Sequence, residues 1–462
     1  MQLFTRAFRI TLFSALAAFL VVQTGCKKDH VLTDEDMSTA DGERKLGKSW
    51  DNQVPVSWFD LQLRLIRTTP GFTPPVAARA MAYTGVALYE SIKGSTPYYN
   101  TLIGQLQDLN ALPQASSHPD SIYNWPMVAN AAMAEASRLL FANTTSANFS
   151  SIDSLEADKL LQYKNNFSIK NKTVNRSVLL GKAVAQAVYD WSLTDGGHEA
   201  YSNLFPTSYI PPVGAGMWVP TPPANSAAML PYWGNNRTML PANTAASFPA
   251  PAPPPAFSTT PGSPMYTAAM EVYNVSMSLT PAQTTIAQYW NDGGGTFTPP
   301  GHNMAIALQL VQTKNYKLDK AAKLLTQVAI SQYDASIICW RCKFMHNLQR
   351  PITYIRENIP GADTWTSTIP TPPFPSYTSG HSTFSGASAK VLAATVGANF
   401  AFTDYSKVPF GFSPRSYPNV NAAAQEAAIS RLYGGIHFAF DNNEGVTCGQ
   451  ILGQNVLNLN WQ

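Results

Sequence analysis

From about residue 75 to the last residue, small and apolar side chains recur at three- and four-residue spacing, interrupted by turn residues. PPVAARAMAYTGVALYESIKG, residues 74–94, opens on proline and stops on Gly94, the order expected of a capped helix. WPMVANAAMAEASRLLFA, SVLLGKAVAQAVYDWSL and YTAAMEVYNVSMSL repeat that style, with small residues that suit close helix packing. The run LDKAAKLLTQVAISQYDASIICWRCKFMHNLQ predicts one long helix from Leu318 to about Gln349. Arg350-Pro351 closes it, because proline disfavours helical backbone in the residue before it. Alternating strand patterns are scarce and no fixed period repeats. The pattern predicts a single all-α body with long Pro-rich loops.

Residues 204–264 are too rich in proline for helix or central strand. Helices of one character lie on both sides, so this segment reads as a surface excursion wrapping the body, not a domain linker. Of 462 residues, 45% are hydrophobic and 13% charged, enough apolar material for a large core. The net charge of +3 is too mild for a polyanion binder, which excludes nucleic acid as an expected partner.

The first residues read MQLFTRAFRITLFSALAAFLVVQTGCKKD: two arginines, an apolar run, then Gly25-Cys26. This is the pattern of an export signal, and the small residues before Cys26 suggest a lipoprotein cleavage site; an ordinary signal peptide or an uncleaved anchor is the alternative. Residues 1–26 are assigned to that signal, 27–50 to a polar tether, and 51–462 to one all-α domain. The expected location is the periplasm or cell surface, with lipid at Cys26 as the one membrane contact. Cys339 and Cys342 stand three apart on the long helix without the second pair a zinc site needs, and read as structural.

Three stretches carry candidate chemistry. In KFMHNLQRP, Lys343 and Arg350 stand seven apart, which on a helix brings them within about 20° of one face. Their neighbours are apolar, and an unpaired cation in such company is costly unless an anion joins it. PSYTSGH places Ser379, Gly380 and His381 where a helix of small residues would begin, and a helix start exposes unpaired amides and the positive end of a dipole. In SRLYGGIH, Arg431 and His437 would diverge by roughly 120° on an unbroken helix, but Gly434-Gly435 can end it and turn the histidine back. Three cations, a hydroxyl, an amide and two imidazoles suit a compact oxyanion, phosphate or vanadate. No carboxylate belongs to this set.

These three stretches, in order and internal spacing, resemble the three-part signature shared by vanadium-dependent haloperoxidases and type 2 phosphatidic acid phosphatases. The resemblance implies a fold of two four-helix bundles. For a haloperoxidase it implies vanadate as cofactor, with His437 as axial ligand and Lys343, Arg350, Ser379, Gly380 and Arg431 on the equatorial oxygens. His381 would be the acid–base group that deprotonates hydrogen peroxide, and Lys343 would polarise it for attack by halide. Trp340 and Phe374 resemble an aromatic pair on the halide side. QYWNDGGGTFTPPGHN, with Trp290, Asp292 and His302, is expected near the site, Asp292 pairing with Arg431; His346 reads as structural.

The implied activity is oxidation of iodide or bromide by hydrogen peroxide, with a small organic acceptor for the product. In a phosphatase the same cage would hold phosphate, His437 acting as nucleophile and His381 protonating the leaving alcohol. A non-catalytic lipoprotein that captures an oxyanion is the alternative from another class.

Overall fold

The computed structural model describes residues 45–118 and 120–462, so the export signal, Cys26 and most of the tether lie outside the described residues. Among the described residues proline stands at the first or second position of six α-helices, where its missing N–H has no helical partner to lose. Side chains of Asn124, Thr145, Ser263, Thr280 and Asn419 cap five helix starts. In chain order the helices are α1 (Gln53–Thr68), α2 (Pro74–Ser91), α3 (Trp125–Leu140), α4 (Ser146–Asn166), α5 (Asn171–Ser192), α6 (Pro264–Met277) and α7 (Pro281–Tyr289). They continue with α8 (Thr298–Thr313), α9 (Leu318–His346), α10 (Pro351–Asn358), α11 (Gly380–Val396), α12 (Val420–Tyr433) and α13 (Ala439–Leu457). The expected all-α class is what the structure shows. Between α11 and α12 lies one antiparallel pair, β1 (Phe402–Asp404) and β2 (Arg415–Tyr417), in the register Phe402 to Tyr417.

Helix α9 is the axis of the body, buried along nearly its whole length. It packs on α2 among the N-terminal helices and on α11 and α13 among the C-terminal ones. Helices α11 and α13 approach most closely at glycine: a Cβ on Gly449 would stand 2.3 Å from the Thr383 carbonyl oxygen. That contact anchors the helix whose first residues are Gly380 and His381. Residues 45–50, grouped above with the tether, are folded: Trp50 is buried edge-on to Tyr163 and Phe167.

Two expectations are corrected. Helix α9 ends at His346, not near Gln349, because Asn347 takes left-handed backbone at φ 46° and caps it. Asparagine tolerates that conformation, and its carbonyl accepts the Trp218 amide at 2.6 Å. Arg350 therefore lies on extended backbone one residue before α10. The Pro-rich excursion is also more than a surface wrap. Trp218 and Trp233 are buried, and Met217 bridges to Leu348 beside the site. Among the described residues Cys339, Cys342 and Cys448 are buried thiols without a disulfide, and no helix is long and apolar enough to cross a membrane.

Replacing Gly449 with valine should force α13 off α11 and destabilise the protein by about 1–3 kcal/mol. Thermal unfolding checks this; an unchanged midpoint would refute the close approach.

Candidate active site

The segment Phe374–Thr378 is a strap whose carbonyls turn inward onto two cations. Nζ of Lys343 donates to the carbonyl oxygens of Pro375 at 2.9 Å, Ser376 at 2.9 Å and Thr378 at 2.6 Å. Nε of Arg350 donates to the Phe374 carbonyl at 2.8 Å, and its Nη1 to the Ile436 carbonyl at 2.8 Å. Both cations stand 5.0 Å from the centroid of the Phe374 ring, over its negative face. Trp340 lies 5.0 Å from the same ring, so the two aromatics do form one wall.

The strap delivers Ser379 as the N-cap of α11. Ser379 Oγ accepts from Ser382 at 3.0 Å, which leaves its own proton to donate, and the first amides of α11 have no acceptor within the helix. Helix α12 stops at Tyr433 and Gly435 takes φ 74°, a conformation open to glycine. The chain reverses there, and His437 returns to Arg350, whose Nη1 lies 3.1 Å from its Nε2. Arg431 donates from Nη1 to the Trp290 carbonyl at 2.6 Å.

Gly380, His381, Arg431 and His437 line one end of a cavity of about 920 Å³, together with Trp340 and Phe374. Lys343, Arg350 and Ser379 are fully buried. The three distant stretches are therefore brought together. Desolvation pushes the protonated forms of Lys343, Arg350 and Arg431 below their ordinary stability, and among the described residues none of the three forms an ion pair. Arginine keeps its proton regardless, so the positive charge of Arg350 and Arg431 persists, offset only at a distance by Asp441 and Asp292. Arg350 Nη2, Arg431 Nε and His381 Nε2 are buried without a hydrogen-bond partner among the described residues. The two unmatched guanidinium donors suit an oxyanion, and the unmatched His381 nitrogen beside them is free to accept a proton.

Desolvation first, then the surrounding cations, hold both imidazoles well below their ordinary range, Arg431 weighing on His381 and Arg350 on His437. Both are neutral near pH 7. His437 donates from Nδ1 to Asp441 Oδ2 at 2.8 Å, which leaves the Nε2 lone pair facing the cations.

Sequence reasoning missed Asp441. This carboxylate also accepts from the Ser376 hydroxyl and from the Phe438 amide at 3.2 Å, and burial pushes it upward. It lies one turn beyond His437 in the first turn of α13, and that four-residue spacing was the available signal. The expectation that no carboxylate belongs to the set is corrected accordingly: one stands directly behind His437. The pairing of Asp292 with Arg431 is corrected too. Asp292 accepts from Lys407 Nζ at 2.8 Å and from His302 at 3.0 Å, and its Oδ2 lies 3.8 Å from His381 Nε2. Lys343 likewise differs from expectation, since its three donors already meet carbonyls. His346 packs edge-on to Tyr377, as a structural residue.

Fold and site define an all-α protein with buried cations and two imidazoles gathered at one cavity. The model for the second helical-bundle domain of vanadium chloroperoxidases matches residues 323–461, which contain all three stretches. A solved bacterial vanadium-dependent iodoperoxidase superposes with TM-score 0.79 and 33% identity, over 88% of this chain and 96% of that one. A bacterial vanadium-dependent chloroperoxidase shares the fold at TM-score 0.63 and 15% identity, over 89% and 98%. The vanadium chloroperoxidase of Curvularia inaequalis is 30% identical over 136 residues, 24% of this chain and 22% of that protein's length. The chain belongs to the vanadium-dependent haloperoxidase family.

A cage of this kind predicts stabilisation by its anion. Phosphate or vanadate at about 100 times its dissociation constant should add about 2.7 kcal/mol and raise the melting temperature. In Arg431→Met that rise should shrink or vanish; a full response in the variant would place the anion elsewhere.

Proposed function

We propose that this protein is a vanadium-dependent haloperoxidase that oxidises iodide or bromide with hydrogen peroxide. The overall change is X⁻ + H₂O₂ + H⁺ → HOX + H₂O. The observation that carries the reading is the set of buried, partnerless polar atoms, Arg350 Nη2, Arg431 Nε and His381 Nε2, on a wall of cations. When bound, vanadate supplies a Lewis-acidic centre that activates hydrogen peroxide towards halide.

The chain's own residues do the rest. Arg350, Arg431, the Ser379 hydroxyl and the Gly380 amide hold the oxyanion oxygens, and His437 presents its Nε2 lone pair because Asp441 fixes the proton on Nδ1. His381, neutral through burial and the nearby Arg431, takes a proton from incoming peroxide at Nε2. Lys343 adds positive charge and holds the strap that presents Ser379. Trp340 and Phe374 give the halide a weakly hydrated, polarisable wall on the cavity side. A small organic acceptor takes up the product. The N-terminal pattern supports export to the periplasm or cell surface with lipid on Cys26.

The test is the purified protein reconstituted with orthovanadate and given hydrogen peroxide with iodide, bromide or chloride, beside a phosphate monoester without vanadate. Halide oxidation with iodide fastest is expected, and His381→Ala should lower turnover by about 10²–10⁴-fold. Ester hydrolysis alone would assign a phosphatase, and anion binding without either reaction a capture protein. Metabolic labelling with palmitate should mark the full-length chain and fail for Cys26→Ala; equal labelling would refute the anchor.

A further inference from the structure

Behind His381 lies a second buried charge cluster that the reaction as described does not use. His302 sits in the second turn of α8 with no exposure, its ring stacked on Trp290 at 4.4 Å. Its Nδ1 lies 3.0 Å from Asp292 Oδ2 and its Nε2 lies 2.9 Å from Asp404 Oδ2. Both partners are carboxylates held well below their usual range, and His302 is the leading opposite charge on Asp292. Lys407 on Asp292, and Tyr289, Ser406 and Gln309 on Asp404, favour ionised carboxylates independently of the ring. An ionised carboxylate only accepts, so this geometry suits a His302 that donates from both nitrogens as an imidazolium. The ring is accordingly pushed up to about 9 by Asp292 and Asp404, against the opposing effect of burial.

The cluster has a direction. Asp404 Oδ2 also accepts from the Tyr289 hydroxyl at 2.6 Å, and its Oδ1 from the Ser406 amide at 2.8 Å and Gln309 at 3.3 Å. Asp292 Oδ1 accepts from Lys407, which leaves Oδ2 with His302 on one side and His381 Nε2, 3.8 Å away, on the other. Asp292 takes left-handed backbone at φ 47°, so its carboxylate is presented from a fixed turn. Beyond it stands Arg431, and across the Trp290 ring is the Arg415–Glu426 pair. Two cations thus meet two carboxylates, and the cluster is neutral.

We propose that His302 is a positioning residue of the reaction: a fixed imidazolium that, with Lys407, turns Asp292 Oδ2 toward His381 and limits how strongly that carboxylate holds a proton on His381. This rests on His381 being the acid–base group. A neutral cluster keeps His381 free to accept a proton from peroxide. With one cation removed, the cluster carries a net negative charge beside His381, which stabilises its protonated form.

The sign of the consequence follows. Proton abstraction needs neutral His381, so activity rises with pH through its titration. His302→Gln should move that rising limb to higher pH by about one unit, a roughly tenfold loss of kcat/KM on its acid side. Lys407→Met should move it the same way, and serves if His302→Gln does not fold. The second readout needs no turnover: ¹⁵N-histidine spectra of the wild-type protein should show both His302 nitrogens protonated from pH 6 to 8, and a His381 titration that shifts upward in either variant. A neutral His302 ring at pH 7, or a His381 titration unmoved in folded variants, overturns the proposal. A wild-type protein without peroxidase activity would overturn the functional reading instead, since the spectra report the cluster independently.

Discussion

Three buried cations that form no ion pair among the described residues are the constraint around which this molecule is arranged. Taking such an ion out of water costs several kcal/mol even after relaxation. The chain offsets this with oriented carbonyls: three for Lys343, those of Phe374 and Ile436 for Arg350, and that of Trp290 for Arg431. Carbonyl dipoles satisfy the donors but leave the net charge in place. A carboxylate paired directly with them would have cancelled that charge, and with it the preference for an anion; Asp441 and Asp292 offset it only from beside the histidines. The strap, the Phe374 ring and the tight α11–α13 contact all serve to keep these groups within reach of one cavity wall.

Three histidines near this wall show how environment assigns chemistry. His437 and His381 lie among cations and are neutral; His302 lies between two carboxylates and is charged. One becomes a lone-pair donor held by Asp441, one a base, and one a fixed positive charge. The residue type is the same in each case, and only the neighbours separate the roles.

Much of the architecture was legible in advance. The 3.6-residue pattern and the proline signals located α2, α3 and α6 closely, because both signals are local, whereas α5, which has no proline start, begins at Asn171, ahead of the stretch read from Ser177. The three motifs were readable because each pairs a special backbone feature with a polar group: Ser379-Gly380 at a helix start, Gly434-Gly435 at a reversal. What failed was equally physical. The end of α9 was misplaced because Pro351 was taken as its stop, whereas Asn347, held by Trp218 from the Pro-rich excursion, ends it a turn earlier. Asp292 was assigned to Arg431 because both stand near the site; Lys407, 115 residues further along, takes one oxygen and His302 the other.

By itself the sequence determined the helical class, the three cations and the imidazoles, and the turn chemistry that points them, since composition, periodicity and glycine placement are properties of short segments. Tertiary structure alone decided which carbonyls receive Lys343, which carboxylate stands behind each histidine, and which ring carries a charge. Those outcomes depend on burial and on contacts spanning tens to more than a hundred residues, where a few ångströms set the protonation state and no local pattern records the distance.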